Sequence, residues 1–481
     1  MKAILRFTVL ALTMFLLSAC GSSDTQYSPY PIGNSSDQSI LVSVNQVSYF
    51  DSIDSVNAAL LKGGADKLTV SNTLGGYDTI NNAAKAGATT ILPTFDILKI
   101  IETVWNNAGF TLYFRTPIVN CYKITYKIDN LPNTPNLTGL LMLPFQWPRT
   151  PRGILLFTHP TEVLRKYSPS VTEPFIDGTF TKLFGYLFGT LGYAVVIPDY
   201  PGLGDNYETH PYCLTSLGKA SAAMVKAVKD NSDFGLSDKT ISIIGFSEGG
   251  YAALASAYYM RNYPGNFKVD KVVSLSGPYD LSNTMKKLMI NADTTYPAPY
   301  FLPYVINGYH AAYPKIDYLD FSKSVVEKPV VDGKNFNTRL LSMLSGDYDG
   351  SQISSLIYTV IPDGTKQLYY GPLSVATTVF QDQLVNKPES DLNKALLENT
   401  LARQDWFPDT NVKFLFAHFD GDDCVPYGNT EAISNVWKKY SNVTITKFTD
   451  TDPLSKGDVG STHAASIVKE YIAGMKFILG M

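Results

Sequence analysis

The stretch that decides the fold lies near the middle of the chain, where residues 240–250 have the sequence TISIIGFSEGG. Its first half is a continuous apolar run, which is typical of a strand buried on both faces of a parallel sheet. Its second half has the spacing Gly-x-Ser-x-Gly around Ser247, and a helical pattern from Tyr251 to Met260 follows at once. A strand that passes into a helix through this spacing predicts a nucleophile elbow, a sharp turn that exposes a serine hydroxyl.

Two glycines make such a turn possible. Side chains two residues before and after the serine would collide, and Gly245 and Gly249 remove that clash. Ser247 can then be held in a strained backbone conformation. The helix N-terminus behind it adds partial positive charge where an oxyanion would form. Ser247 is therefore the candidate nucleophile.

Short apolar runs separated by helical patterns lie on both sides of this stretch. Buried strands are predicted at residues 154–157, 193–197, 241–244, 272–275 and 414–416. An alternating strand at 122–128 with a partner at 139–143 precedes them, and a helix over 468–479 closes the chain. The pattern predicts an α/β fold, a mostly parallel sheet with helices on both faces.

Two regions do not follow this pattern. Residues 46–112 form a predicted N-terminal extension that is partly helical. Residues 281–405 contain several helical patterns and lie between two predicted neighbouring strands. An insertion at the carboxyl end of such strands is well placed to cover an active site, so we expect a helical cap. The predicted core is then divided into residues 113–280 and 406–481.

The N-terminus has the pattern of an export signal. Residues 1–20 carry Lys2 and Arg6 before an apolar run of eleven residues. That run is too short to span a bilayer, which takes about 20 residues. Residues 17–21, LSACG, resemble the lipobox of bacterial lipoproteins. The resemblance implies that Cys20 is acylated and becomes the mature N-terminus, followed by a flexible tether over residues 21–45.

The composition of the chain argues against several kinds of binding partner. The chain has 39 basic and 43 acidic side chains, which argues against a nucleic-acid partner. It has no CxxC spacing and no paired histidines at metal-ligand spacing, so we predict neither a metal nor another cofactor. No later run is long enough to span a bilayer, so we expect membrane attachment through the N-terminal lipid only. The predicted location is the bacterial cell envelope, at the outer membrane or the cell surface.

An elbow serine needs a base and an acid, which follow it in the order Ser, Asp or Glu, His. Of the histidines after Ser247, only His463 comes late, directly before the closing helix, so it is the candidate base. The predicted strand at 414–416 is followed by Asp420, Asp422 and Asp423. Residue type and spacing leave all three open as the acid.

These motifs resemble the α/β-hydrolase superfamily, and in particular secreted bacterial and fungal lipases and esterases, over residues 119–280 and 410–481. Residues 192–204, GYAVVIPDYPGLG, look like a strand and turn of that group. The segment DDCVP at 422–426 looks like the Asp-x-x-Val-Pro stretch that carries the acid in many members. This selects Asp422, with Asp423 as its main competitor. The resemblance implies a serine hydrolase that cleaves small-molecule or lipid carboxylic esters through an acyl-enzyme on Ser247.

An oxyanion hole is also implied. One donor is the backbone N–H of Glu248, the residue after the nucleophile. Residues 158–161, THPT, resemble the His-Gly-x oxyanion loop, which makes the N–H of Thr161 the second donor. Pro160 stands where glycine is usual, and its fixed φ changes the geometry of the loop.

Two other functions and one structural question stay open. A serine peptidase of the prolyl type shares the order of the triad, and a non-catalytic surface lipoprotein could keep the fold for binding. Cys213 and Cys424 both follow predicted strands, so a disulfide between them and isolated thiols are both compatible with the sequence.

Overall fold

The protein, in a computed structural model, is built on a nine-stranded sheet. The structure describes residues 41–50, 118–128, 135–145, 150–171, 181, 184–185, 188–189, 191–262, 267–290, 296–313, 344–357, 359–360, 366–367, 378–403, 408–450 and 462–481. The strands of the sheet are β1 Leu41–Phe50, β2 Ile118–Tyr126, β3 Leu137–Phe145, β4 Gly153–Thr158, β5 Tyr193–Pro198, β6 Ile241–Phe246, β7 Val269–Leu275, β10 Lys413–Phe419 and β11 Val443–Phe448.

The sheet is mostly parallel. Its spatial order is β1-β2-β3-β5-β4-β6-β7-β10-β11. The pairs from β5 to β11 are parallel, whereas β1, β2 and β3 join the β5 edge through antiparallel pairs. This arrangement confirms the predicted α/β sheet with its antiparallel hairpin.

Helices flank the sheet and fill the insertion. They are α1 Ser216–Asp230, α2 Glu248–Asn262, α3 Lys286–Ile290, α4 Phe301–Ala312, α5 Gly350–Ile357, α6 Thr378–Val385, α7 Asp391–Glu398, α8 Gly428–Trp437 and α9 Thr462–Leu479. A π-helical turn, Leu281–Met285, precedes α3, and a short hairpin joins β8 Thr359–Val360 to β9 Lys366–Gln367.

The core lies on both faces of the sheet. Every residue of β4 and β6 is buried, which explains their continuous apolar sequences. On one face, alternate strand residues such as Phe157 and Ile244 pack against Tyr471 of α9. On the other face α1 comes so close that a Cβ at Gly139 would lie 2.4 Å from Sδ of Met224. Helices on both faces hold the strand ends in fixed positions.

The N-terminal region differs from the prediction in one respect. Residues 41–45, assigned to the tether, belong to β1, which pairs with β2 at the edge of the sheet. The tether prediction therefore extends too far, because backbone pairing with β2 orders this segment. The signal peptide, the rest of the tether and residues 51–112 of the extension lie outside the described residues. Within the described part of the chain, no helix is long and apolar enough to cross a bilayer.

The insertion between β7 and β10 occupies the place predicted for a cap. These strands are parallel neighbours, and the described residues between them form mainly helices. The ring of Phe301 in α4 stacks on Tyr212, in the loop after β5, with 5.6 Å between centroids. The hydroxyl of Tyr251 in α2 donates to the carbonyl of Asn399 at 2.7 Å. The insertion thus packs on loops at the carboxyl end of the sheet.

The described cysteines form no disulfide. Cys121, Cys213 and Cys424 each carry a buried thiol, so the bridge considered between Cys213 and Cys424 is wrong. Burial raises the pKa of the Cys213 thiol well above its usual value, and this keeps the group protonated.

Candidate active site

Ser247 occupies the turn between β6 and α2. Its φ is +60°, in the left-handed region that few residues other than glycine adopt. The backbone N–H of Ser247 donates to the carbonyl of Leu275 at 2.9 Å, and its own carbonyl accepts from the N–H of Tyr251 at 3.0 Å. These bonds attach the strained residue to the end of β7 and to the first turn of α2.

The two glycines of the motif lie where no side chain fits. A Cβ on Gly245 would stand 2.2 Å from the carbonyl oxygen of Gly249. A Cβ on Gly249 would stand 2.1 Å from the carbonyl oxygen of Thr158. The Thr158 hydroxyl also donates to the Gly249 carbonyl at 2.8 Å. The loop after β4 is therefore locked against the elbow.

Asp422 and His463 form a buried pair. Asp422 lies in the loop after β10, and His463 is the second residue of α9. Nδ1 of His463 lies 2.5 Å from Oδ2 of Asp422, although the two residues are 41 positions apart. The His463 ring also packs on the ring of Phe246, with 4.6 Å between centroids, and Phe246 immediately precedes Ser247. Among the described residues, Nε2 of His463 is buried and has no hydrogen-bond partner.

The surroundings of Asp422 favour its ionised form. Oδ1 accepts the backbone N–H groups of Cys424 at 3.0 Å and Val425 at 2.7 Å. Burial alone would raise the pKa of Asp422, but the charge of His463 and the hydrogen bonds from His418 and His463 hold it well below its usual range. Asp422 therefore carries a negative charge at neutral pH beside Nδ1 of His463.

Asp423 and Asp420 have other partners. The carboxylate of Asp423 accepts the backbone N–H groups of Thr462 and His463, both at 3.1 Å, at the N-terminus of α9. It thus anchors the helix that carries the imidazole. The carboxylate of Asp420 pairs with Lys447 at 3.2 Å. Of the three candidate acids, the structure brings only the Asp422 carboxylate to the His463 ring.

The two predicted oxyanion donors lie on adjoining segments. Glu248 is the first residue of α2, and Thr161 lies in the loop after β4. Pro160, which replaces the usual glycine of this loop, is held by contacts of the preceding residue. Nδ1 of His159 donates to the Pro160 carbonyl at 2.6 Å, and the His159 ring stacks on Tyr200 with 4.1 Å between centroids. This histidine contact holds a loop in which proline replaces the usual glycine.

A histidine that the sequence does not mark as functional lies behind the acid. His418, in β10, has a buried ring that contacts Asp422. Nε2 of His418 donates to the Val425 carbonyl at 2.8 Å and lies 3.2 Å from Oδ2 of Asp422, while Nδ1 lies 2.7 Å from the Thr430 hydroxyl. No spacing in the sequence indicates this contact, because it depends on the path of the loop after β10.

A second buried pair lies beside the elbow. Nε2 of His210 bonds to Oε1 of Glu248 at 2.7 Å, and Nδ1 lies 3.0 Å from the Pro201 carbonyl. Burial opposes the charged imidazole, but the Glu248 carboxylate and the Pro201 carbonyl raise the pKa of His210 above its usual value. This pair joins the loop after β5 to the residue that follows Ser247.

Comparisons with known proteins agree with this fold. Residues 183–338 match a family model described as secretory lipase. No curated protein matches the sequence. A putative hydrolase from Legionella pneumophila superposes with a TM-score of 0.64 at 21% identity, over 91% of this chain and 98% of that one. The rice cell wall degrading esterase LipA from Xanthomonas oryzae gives a TM-score of 0.62 at 19% identity, over 91% and 97%.

A more distant neighbour extends the comparison to a fungal enzyme. Lipase A from Candida antarctica in its closed state superposes with a TM-score of 0.52 at 14% identity, over 72% of this chain and 74% of that one. At these identities the neighbours establish the fold. The neighbours therefore confirm the predicted α/β-hydrolase fold, and the family match shows that residues 183–338 are similar to secretory lipases.

Proposed function

We propose that the chain cleaves carboxylic esters through an acyl-enzyme on Ser247, with His463 as the base and Asp422 as the acid. The observation that carries the proposal is the 2.5 Å contact between His463 and Asp422, with the His463 ring against the neighbour of a strained elbow serine. An activated nucleophile needs a base and a third group that orients the base, and Asp422 supplies that third group for His463.

The reaction follows from these positions. Nε2 of His463 takes the proton of the Ser247 hydroxyl as Oγ bonds to the ester carbonyl carbon. The backbone N–H groups of Glu248 and Thr161 stabilise the oxyanion. The carbon–oxygen bond to the alcohol then breaks, and the alcohol leaves with the proton from His463. Water repeats the sequence on the acyl-enzyme, which releases the acid and restores Ser247. Asp422 remains ionised and stabilises the imidazolium at each step.

Hydrolysis of a p-nitrophenyl ester series from acetate to palmitate tests this proposal. We expect turnover by the chain without residues 1–20, and a loss on the order of 10⁴-fold or more in the Ser247→Ala variant. The acyl-length profile then separates an esterase from a lipase. If both proteins are equally active, or neither acts on any ester, the mechanism is wrong, and peptide substrates and binding assays become the next tests.

Export and lipid attachment form a second part of the proposal. A basic segment followed by an apolar run and LSACG supports cleavage before Cys20 and acylation of its thiol, and the matching family is described as secretory. Expression of the full chain in a bacterial host with radiolabelled palmitate tests it. We expect label in the membrane fraction for the wild type and none for Cys20→Ser. Equal labelling of the two would refute acylation at Cys20.

A further inference from the structure

Glu470 is a buried acid that the triad does not use. It lies on α9 two helical turns after His463, and its side chain is fully buried. A carboxyl group in this position is costly unless hydrogen bonds replace the water that it loses. The hydrogen-bond donors around Glu470 show which segments of the chain its carboxyl group joins.

Donors from three segments meet at this carboxyl group. The hydroxyl of Ser276, directly after β7, lies 2.8 Å from both carboxyl oxygens. The backbone N–H of Phe419, the last residue of β10, donates to Oε1 at 3.1 Å. The hydroxyl of Ser466, one turn nearer the start of α9, lies 2.9 Å from the same oxygen. One side chain thus joins two strand ends to the helix that begins at Thr462.

These contacts lead directly to the acid and the base. Phe419 lies three residues before Asp422 in the same connection. The Ser466 hydroxyl also lies 3.0 Å from the backbone carbonyl of His463. Ser276 has a φ of +42°, which is unusual for serine, and its N–H donates to the Ala417 carbonyl at 3.1 Å. A strained residue that persists in the fold is held by its surroundings.

We propose that Glu470 is a positioning residue, whose carboxyl group holds the loop that carries Asp422 in register with the helix that carries His463. This inference rests on the proposed function, because it takes these two residues as the acid and the base. Nothing in it requires Glu470 to touch the substrate.

The charge state of Glu470 should be visible in the pH dependence of the activity. Burial raises its pKa to about 8, and the negative charge of Asp422 adds to that rise, whereas His418 and the hydrogen bonds from Ser276 and Ser466 oppose it. The other titratable groups that interact with it are Tyr279, after β7, and Tyr471, on α9. Above this pH a second buried negative charge forms near Asp422, so we expect the activity of the wild type to decline.

Kinetics of Glu470→Ala and Glu470→Gln test the inference, with Lys476→Gln, an exposed change on the same helix, as the control. We expect Glu470→Ala to lower kcat by up to about 100-fold with little change in KM, because the acid–base pair loses its register. Glu470→Gln should recover most of that loss and remove the decline above pH 8. A folded Glu470→Ala variant with the kcat of the wild type, or an unchanged decline in Glu470→Gln, would overturn the inference.

Two further measurements separate this inference from the proposed function. Ser247→Ala in the same assay shows whether the activity depends on the proposed nucleophile at all. If it does not, the proposed function fails, and histidine ¹⁵N NMR in the Ser247→Ala background tests Glu470 without catalysis. We expect Glu470→Ala to move the Nδ1–H signal of His463, and Glu470→Gln and Lys476→Gln to leave it close to its wild-type position. If Glu470→Ala does not fold, Ser466→Ala replaces it; an unmoved signal in the folded variant contradicts the inference.

Discussion

The nucleophile elbow and the acid–base pair are built in different ways, although both lie at the carboxyl end of the same sheet. In the elbow, β6, Ser247 and α2 are contiguous, and the geometry depends on backbone atoms that approach one another directly. The acid and the base are 41 residues apart, and side-chain hydrogen bonds hold their segments together. A turn made of close backbone contacts has no room for an added atom. In a network of side chains, each substitution removes only some of the hydrogen bonds, and the others still hold the segments together. We therefore expect changes in the elbow to be severe and changes around the pair to be graded.

The largest effect is expected for Gly249→Ala. The added methyl group would lie 2.1 Å from a backbone oxygen of Thr158, which has no freedom to move away. The free energy of unfolding should fall by about 3 kcal/mol or more, with loss of ester hydrolysis, as urea unfolding and a p-nitrophenyl ester assay would show. Gly235→Asn is the control, because a side chain at this glycine meets open space and asparagine tolerates its positive φ. Equal urea midpoints for the two variants would contradict the account of the elbow.

The next effect separates the two candidate acids. Asp422→Asn removes the charge beside His463 and should lower kcat by about 10⁴-fold, because the wrong imidazole tautomer is then favoured. Asp423→Asn keeps one acceptor for the N-terminus of α9 and should lower kcat by only about tenfold. Steady-state kinetics of both variants measure the difference. The reverse order would make Asp423 the acid.

A smaller effect is expected in the oxyanion loop. Thr161→Pro removes the predicted N–H donor and should lower kcat about 100- to 1000-fold. Thr161→Ala keeps the N–H and should stay close to the wild type, although it loses the 3.3 Å contact with the Tyr212 hydroxyl. Circular dichroism of both variants controls for folding. If Thr161→Ala loses as much activity as Thr161→Pro, the side chain and not the N–H is the important group.

The smallest expected effect concerns stability: the free energy of unfolding should depend on pH through Glu470. Because the pKa of Glu470 rises from 4.5 to about 8 in the folded chain, the fold favours the protonated carboxyl group. The protonated Glu470 therefore contributes to the free energy of unfolding, and this contribution is fully present below pH 4.5. It is lost as the pH rises to 8, and the loss is on the order of a few kcal/mol. Urea unfolding of Glu470→Gln between pH 5 and 8.5 should therefore show a flatter pH dependence than the wild type. Parallel curves would mean that Glu470 titrates normally.

The part of the fold that is visible in the sequence is the part determined by local pattern. Strand β6 and the elbow follow from one apolar run and one glycine spacing, and the structure has both. Strand β1 was not predicted, because two irregularities in its pairing, between Leu41 and Ser43 and between Gln46 and Ser48, interrupt the two-residue alternation.

The polar network behind the acid and the base was not predictable for a different reason. Glu470 meets Ser276, which is 194 residues away, and a glutamate on a helix has the same local signature whether it faces water or a buried hydroxyl. His418 lies within a buried apolar strand, where its partner depends on the path of the following loop. Such contacts are defined by the folded chain and not by spacing along it.

Covalent capture of the nucleophile is the decisive test of the assignment of Ser247. A fluorophosphonate reacts with a serine only when a base activates its hydroxyl. We expect one adduct by intact mass, located by peptide mapping at Ser247, with esterase activity lost in proportion and no adduct in Ser247→Ala. Labelling of a different residue, or an unlabelled protein that still hydrolyses esters, would contradict the assignment of Ser247.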